Sequence, residues 1–311
     1  MDNKILGLHH ITAIAGNAKR NFEFYTKILG LRMVKKTVNF DDPGTYHFYY
    51  GNGTGTPGTI LTFFPWEGIG AGRTGAGMAT EIGYSVPAGS FDFWTDRFKQ
   101  FNVKQGEISE SFGEQKLLFA DPDGLKINLV APKQEDKRVP WVTADVTGAE
   151  AVKGFHSIVL TLKNIKGTAE ILTDVFGYRL LEQEGNRYRF ITDAIENAAI
   201  VDLVESPDEG RGINAAGTNH HVAFRVANED ILMAYREKIA SRGLGITPKI
   251  DRDYFFSLYF REPGGVLFEL ATDNPGFATD ETVDELGTSL RLPKQYEPSR
   301  NEIEAALPKL D

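Results

Sequence analysis

A strand, a helix and three further strands, repeated four times in units of roughly 55–70 residues, constrain this chain more than any other feature. The first unit opens with Leu8-His9-His10-Ile11-Thr12. Its helix is predicted over Asn17–Leu29, where Phe22, Tyr25 and Leu29 share a stripe and Gly30 is placed to end it. Extended segments follow near Leu31–Val38, Tyr46–Tyr50 and Thr59–Phe64. The second unit sets Thr80–Val86 before a helix carrying Phe91, Trp94, Phe98 and Phe101, and closes on Leu125–Val130. The third runs from Gly154-Phe155-His156-Ser157 to Ala199–Glu205, and the fourth from Asn219-His220-His221-Val222 to Val266–Leu270. The turns Asp121-Pro122-Asp123-Gly124 and Glu262-Pro263-Gly264-Gly265 precede the last strands of units two and four; tight turns need no further role, so they serve as register marks. The predicted class is therefore α+β: four βαβββ modules in two halves, 1–133 and 153–272, with a linker at 134–152 and a tail at 273–311. That tail is acidic, contains proline and carries a short predicted helix at Asn301–Leu307; it fits a lid, an oligomer arm or a surface tail.

Composition removes several chemistries. The 311 residues contain no cysteine, which excludes disulfides, thiolate nucleophiles, iron–sulfur clusters and Cys-type zinc sites together. Any metal must be held by His and carboxylates. With 43 acidic against 34 basic side chains the formal charge is −9, which repels phosphate backbones and anionic lipid, so neither nucleic acid nor membrane is expected as a partner. No stretch approaches the roughly 20 apolar residues that cross a bilayer, and we expect a cytoplasmic, soluble protein. A homo-oligomer stays open.

Four of the six histidines form the dipeptides His9-His10 and His220-His221, each on the first strand of a repeat. Strand alternation sorts them. In His221-Val222-Ala223-Phe224-Arg225-Val226 the apolar Val222, Phe224 and Val226 should face the helices, leaving His221, Ala223 and Arg225 on the concave side. Register between repeats makes His10 the counterpart of His221, with Thr12 on the same face. In the last strand of the fourth unit Val266, Phe268 and Leu270 share one face and Glu269 lies on the other, where a carboxylate needs a partner such as a cation. The counterparts of Glu269 are Thr62, Asn128 and Asp202; those of His10 are Glu81 and Ser157. The pairing of modules then decides the site. Modules one and four together would supply His10, His221 and Glu269 with Thr62 in fourth place, the two-imidazole, one-carboxylate set of non-haem Fe(II) oxygenases. Modules three and four would supply Asp202, His221 and Glu269. Modules two and three would supply Glu81, Asn128, Ser157 and Asp202, without an imidazole, which reads as structural.

Leu8-His9-His10-Ile11-Thr12, the Phe24-Tyr25 to Leu29-Gly30-Leu31 pattern, Asn219-His220-His221-Val222-Ala223-Phe224 and Pro263-Gly264-Gly265-Val266-Leu267-Phe268-Glu269 together resemble the vicinal oxygen chelate superfamily, most closely its hydroquinone ring-cleaving dioxygenases. The resemblance runs over nearly the whole chain. It implies two vicinal-oxygen-chelate domains with cupped mixed sheets, and an Fe(II) site formed by His10, His221 and Glu269, with Mn(II) as the alternative metal. It also implies supporting roles for His9, Thr12, His220, Arg252 and Tyr259, although strict alternation would turn His9 and His220 away from the metal. The implied substrates are O2 and a small aromatic diol, para or ortho, in aromatic degradation or quinone detoxification. Tyr259 would give a hydrogen bond or a proton to a ring oxygen, and Arg252 would offset developing negative charge. Competing readings are a glyoxalase-type lyase or isomerase, a metal-dependent thiol transferase, and a metal-free aromatic-binding resistance protein. The first two generally need a fourth protein ligand, for which Thr62 is a poor substitute.

Other signals weigh less. Gly70-Ala71-Gly72-Arg73-Thr74-Gly75 spells a dinucleotide fingerprint but precedes a strand, so it reads as a flexible loop between modules, placed to cover the cavity. His47 reads as a strand residue, and His156 as a core residue or a support to the site. No Gly-x-Ser-x-Gly elbow suggests a hydrolase.

Overall fold

The computed structural model describes residues 4–310 and contains the four predicted modules. The first comprises β1 (Leu8–Ala15), α1 (Ala18–Glu23), β2 (Arg32–Val38), β3 (Tyr46–Gly51) and β4 (Ile60–Pro65). The second comprises β5 (Met78–Ser85), α2 (Phe91–Gln100), β6 (Gln105–Ser111), β7 (Glu114–Ala120) and β8 (Lys126–Ala131). β9 (Gly154–Leu162), α3 (Lys166–Glu170), β10 (Arg179–Glu184), β11 (Arg187–Ile191) and β12 (Ile200–Glu205) make the third. β13 (Thr218–Val226), α4 (Glu229–Ala240), β14 (Ile250–Asp251), β15 (Phe255–Arg261) and β16 (Leu267–Pro275) make the fourth.

The first helix departs from the single run predicted over Asn17–Leu29. Asn17 caps it, its side chain accepting from the Arg20 amide, but after Glu23 the helix widens into a π turn over Phe24–Ile28. There the Leu29 amide reaches back five residues to the Phe24 carbonyl, and the adjacent Phe24 and Tyr25 are both buried. Module three repeats the device over Ile171–Val175. Gly30 then turns the chain with φ +68, in the left-handed region glycine enters at no steric cost.

Eight strands form each of two mixed sheets, ordered β14-β15-β16-β13-β1-β4-β3-β2 and β10-β11-β12-β9-β5-β8-β7-β6. Modules one and four thus share the first sheet, and modules two and three the second. In each, the opening strands of the two modules pair antiparallel at the centre, and each runs parallel to the last strand of its own module. Outward-facing Val222, Phe224, Val226, Phe268 and Leu270 join the helices in one large apolar core. The register-mark turns are held by their own carboxylates: Asp121 accepts from the amides of Asp123 and Leu125 and from the Tyr25 hydroxyl, and Glu262 accepts from the amides of Gly264 and Val266 and from the Thr168 hydroxyl.

Two segments differ from expectation or decide among alternatives. The Gly70–Gly75 loop does not cover the first sheet's cavity. It pairs instead with its counterpart before β13, through the bridges Ala71 to Ala216 and Arg73 to Ile213, because both loops carry free backbone groups side by side. The tail straps the concave face of the first sheet. Phe277 and Leu286 pack with Val34, Tyr49, Tyr254 and Phe255 at one end of the cup. Lys35 of β2, with no solvent exposure, pairs with Asp280 and Glu281 of the tail, and its ammonium lies 4.6 Å from the Tyr254 ring centre. One edge of the sheet is thereby tied to the hairpin at the other. A short helix, α5 (Arg300–Ala306), lies where one was predicted. Among the described residues no helix is long and apolar enough to cross a membrane.

A candidate metal centre in the first sheet

The β1–β13 pairing explains how both members of each His-His dipeptide come to lie against each other. Leu8 opposes Phe224 and His10 opposes Ala223, so His9 is an extra residue on β1; Thr12 opposes His221 and Ala13 opposes Asn219, so His220 is an extra residue on β13. Each extra residue makes a β-bulge, which suspends strict alternation and re-aims a side chain. The expectation that His9 and His220 turn away is therefore corrected. The Nδ1 atoms of His9 and His10 lie 2.9 Å apart, and those of His220 and His221 2.8 Å apart.

These contacts point His10 and His221 at Glu269. His9 Nε2 lies 3.1 Å from the Thr272 carbonyl, which can only accept, so this nitrogen carries hydrogen. Burial, with the neighbouring His10, holds His9 well below the usual imidazole range and therefore neutral. Its Nδ1 must then accept from Nδ1–H of His10, which leaves the His10 Nε2 lone pair facing inward. Nε2 of His10 and of His221 approach Glu269 Oε2 to 3.1 and 2.9 Å and lie 3.4 Å from each other. Glu269 has no solvent exposure, yet neither of its oxygens makes a directed hydrogen bond. Burial pushes its carboxyl up; it is held well below the usual range only where His10 and His221 face it with a proton, a part that a bound cation would take over with both rings neutral. A bare buried carboxylate is costly. Two imidazole nitrogens and one carboxylate oxygen, all within 4.8 Å, supply what a divalent cation needs, and the donor set suits iron.

The triad forms the floor of a cavity of about 390 Å³ whose walls include Phe40, Phe64, Trp66, Phe255 and Leu267. Thr12, His220, Arg252 and Tyr259 also line it, whereas His9 lies behind His10 with its ring edge toward it. The Tyr259 ring meets His221 edge to face at 5.6 Å between centroids, and the Arg252 guanidinium sits 5.4 Å from the centres of both Tyr259 and Phe40. Burial, reinforced by Glu269, raises Tyr259 above the usual phenol range, so it keeps its proton. Burial works against the Arg252 charge, but Tyr259 and Glu269 more than restore it.

Sequence reasoning missed part of this lining. His47, read as a strand residue, faces the cavity with Tyr49, and Thr62 occupies the fourth place as a hydrogen-bonding group, 2.8 Å from Thr12 Oγ1 and 3.0 Å from His47 Nε2. The signal was present: residues 47, 49 and 62 all fall on concave-facing registers of β3 and β4. In the second sheet Asn128 donates to Glu81, Ser157 meets His156, and Asp202 is bound by Arg187 and Arg189. His156 also meets Glu114 at 3.1 Å.

The sequence profile of the Glyoxalase/Bleomycin resistance protein/Dioxygenase superfamily matches residues 7–129 and 154–270. The chain is 47% identical over 309 residues to MhqO of Bacillus subtilis (strain 168), a protein named provisionally as a ring-cleaving dioxygenase, covering 99% of this chain and 97% of that one. It is 33% identical over 311 residues to the chlorohydroquinone/hydroquinone 1,2-dioxygenase of Sphingobium indicum, covering 97% and 96%. A crystal structure of a provisionally assigned dioxygenase from Bacillus subtilis superposes with a TM-score of 0.95 at 45% identity, covering 99% of this chain and 98% of that one. In sequence and in fold alike, the chain belongs to the glyoxalase/bleomycin resistance protein/dioxygenase superfamily.

Proposed function

We propose that this chain is a ring-cleaving dioxygenase for hydroquinone-type diols, working with Fe(II) held by His10, His221 and Glu269. One observation carries the reading: two imidazole nitrogens and a buried carboxylate without hydrogen bonds meet at the floor of an aromatic-walled cavity. Full-length relatives named as hydroquinone and ring-cleaving dioxygenases support it. Iron(II), when bound, would supply a redox centre able to pass electrons between a diol ring and O2.

The protein's own groups hold and bias the substrate. Phe40, Phe64, Trp66 and Phe255 give a flat ring an apolar bed and exclude water. Tyr259 retains its proton and can donate it to a ring oxygen, while the Arg252 cation offsets negative charge growing there. His9 and His220 fix the ring orientations of the two imidazole ligands. Thr62 in the fourth place offers a hydroxyl already engaged by Thr12 and His47, which disfavours the lyase reading.

Oxygen uptake tests the proposal: protein loaded anaerobically with Fe(II) is given methylhydroquinone, catechol or a hemithioacetal. Uptake with methylhydroquinone that disappears in His10→Ala is the expected result. No uptake with either diol, alongside isomerisation of the hemithioacetal under Ni(II) or Zn(II), would overturn it.

A further inference from the structure

We propose that Tyr49, His47 and Thr62 form a one-way hydrogen-bond relay that aims the hydroxyl proton of Thr12 into the cavity, which makes Tyr49 and His47 positioning residues. The direction of the relay follows from geometry; its consequence for turnover rests on the dioxygenase reading.

The chain of contacts is continuous. Tyr49 OH lies 2.9 Å from His47 Nδ1, His47 Nε2 3.0 Å from Thr62 Oγ1, and Thr62 Oγ1 2.8 Å from Thr12 Oγ1. Tyr49, Thr62 and Thr12 are at most 1% exposed and His47 is 9% exposed, so the links between them are shielded from bulk water. Each proton can then be placed in turn. Burial raises Tyr49 above the usual phenol range, so it keeps its hydrogen, and His47 Nδ1 is its only hydrogen-bonding partner among the described residues. A buried hydroxyl left without an acceptor is costly, so Tyr49 donates and Nδ1 accepts. Burial, together with His10 and Arg252, holds His47 well below the usual imidazole range, so the ring is neutral and its single N–H is at Nε2. Nε2–H donates to Thr62, whose own hydrogen has, among the described residues, only Thr12 Oγ1 to go to. The Thr12 hydrogen is left with no acceptor among the described residues, on a side chain that lines the cavity two residues after His10. Reversing the chain would strand the Tyr49 hydrogen and turn Thr12 into a donor toward Thr62, with only a lone pair facing the cavity. The relay therefore presents a fixed donor, ready for negative charge on an oxygen atom bound beside the triad.

Histidine-15N NMR on the full chain, stripped of metal, reads the direction without any turnover. His47 protonated at Nε2 in the wild type, with a measurable Nδ1–H population in Tyr49→Phe, is the expected result. His47 protonated at Nδ1, or cationic, in the wild type overturns the relay even if the diol reaction occurs. If no diol is consumed, the tautomer still decides the relay, so the two failures are distinguishable. With an active enzyme, Thr12→Val and Tyr49→Phe should each lower kcat on the order of tenfold with KM nearly unchanged, Thr12→Ser should restore it, and the double variant should be no worse than the poorer single one. Multiplicative losses in the double variant, or an unchanged kcat in Tyr49→Phe, would contradict the proposal.

Discussion

Glu269 in the first sheet and Asp202 in the second occupy the same register, two residues beyond His221 and Ser157 respectively on the neighbouring central strand, and both are fully buried. The same two bulges recur as well, with Thr80 and His156 as the extra residues of the second sheet. What differs is the source of positive charge. Asp202 receives four hydrogen bonds from Arg187 and Arg189, and Arg189 also donates to Glu114, so the second sheet carries its cation in covalent form. Arg189 opposes Asp202 on the adjacent strand just as Tyr259 opposes Glu269. A phenol in that position leaves Glu269 facing the two imidazoles beside an open cavity, whereas a guanidinium there binds Asp202 directly. One scaffold thus presents a candidate metal centre or a salt-bridge core according to which partner the opposing strand supplies.

The comparison can be broken at its strongest point first. Glu269→Gln keeps the side-chain volume but removes the anion; metal uptake should be abolished and diol turnover should fall by a factor on the order of 10³ or more. Calorimetric titration with metal and oxygen uptake measure both. Arg189→Leu attacks the other sheet, leaving Asp202 and Glu114 short of their cation; urea unfolding should show a loss of about 3–5 kcal/mol, with metal stoichiometry retained. Tyr259→Phe removes the donor beside the centre, and kcat should fall roughly 10- to 100-fold with metal affinity unchanged.

The smallest effect is electrostatic and belongs to the second sheet. Burial pushes the Glu114 carboxyl up, but His156 and Arg189 outweigh it and hold it down at about 2, below its ordinary value of 4.5. A depressed carboxylate stabilises the fold above the unfolded value and loses that contribution as pH falls through the folded one. The urea midpoint of the wild type should therefore drop more steeply than that of Glu114→Gln between about pH 4.5 and 2. Equal slopes would show that the pair adds nothing to folding.

How far the sequence could be read follows from the range of each interaction. Period-two alternation within Val222–Val226 and Val266–Leu270, together with the repeats, put His10, His221 and Glu269 among the candidates but left open which modules share a cavity. The choice of module partners was not legible, since it depends on pairings such as β1 with β13, some two hundred residues apart in sequence. A bulge has no periodic signature, which is why the turning of His9 and His220 onto their neighbours escaped alternation. His47 and Tyr49 alternate correctly on β3, but only the folded register shows that Thr62 links them to Thr12. The tail was legible as acidic, yet its binding to Lys35 joins residues 245 and 246 positions apart, beyond any local pattern.

Metal stoichiometry tests the central claim most directly. Full chain stripped by chelator, reloaded anaerobically with Fe(II) and desalted should retain one equivalent per chain in the wild type and in Arg189→Leu, and none in Glu269→Gln or His221→Ala. Retention of metal by Glu269→Gln, or a second tight equivalent lost with Asp202, would contradict the division between the two sheets.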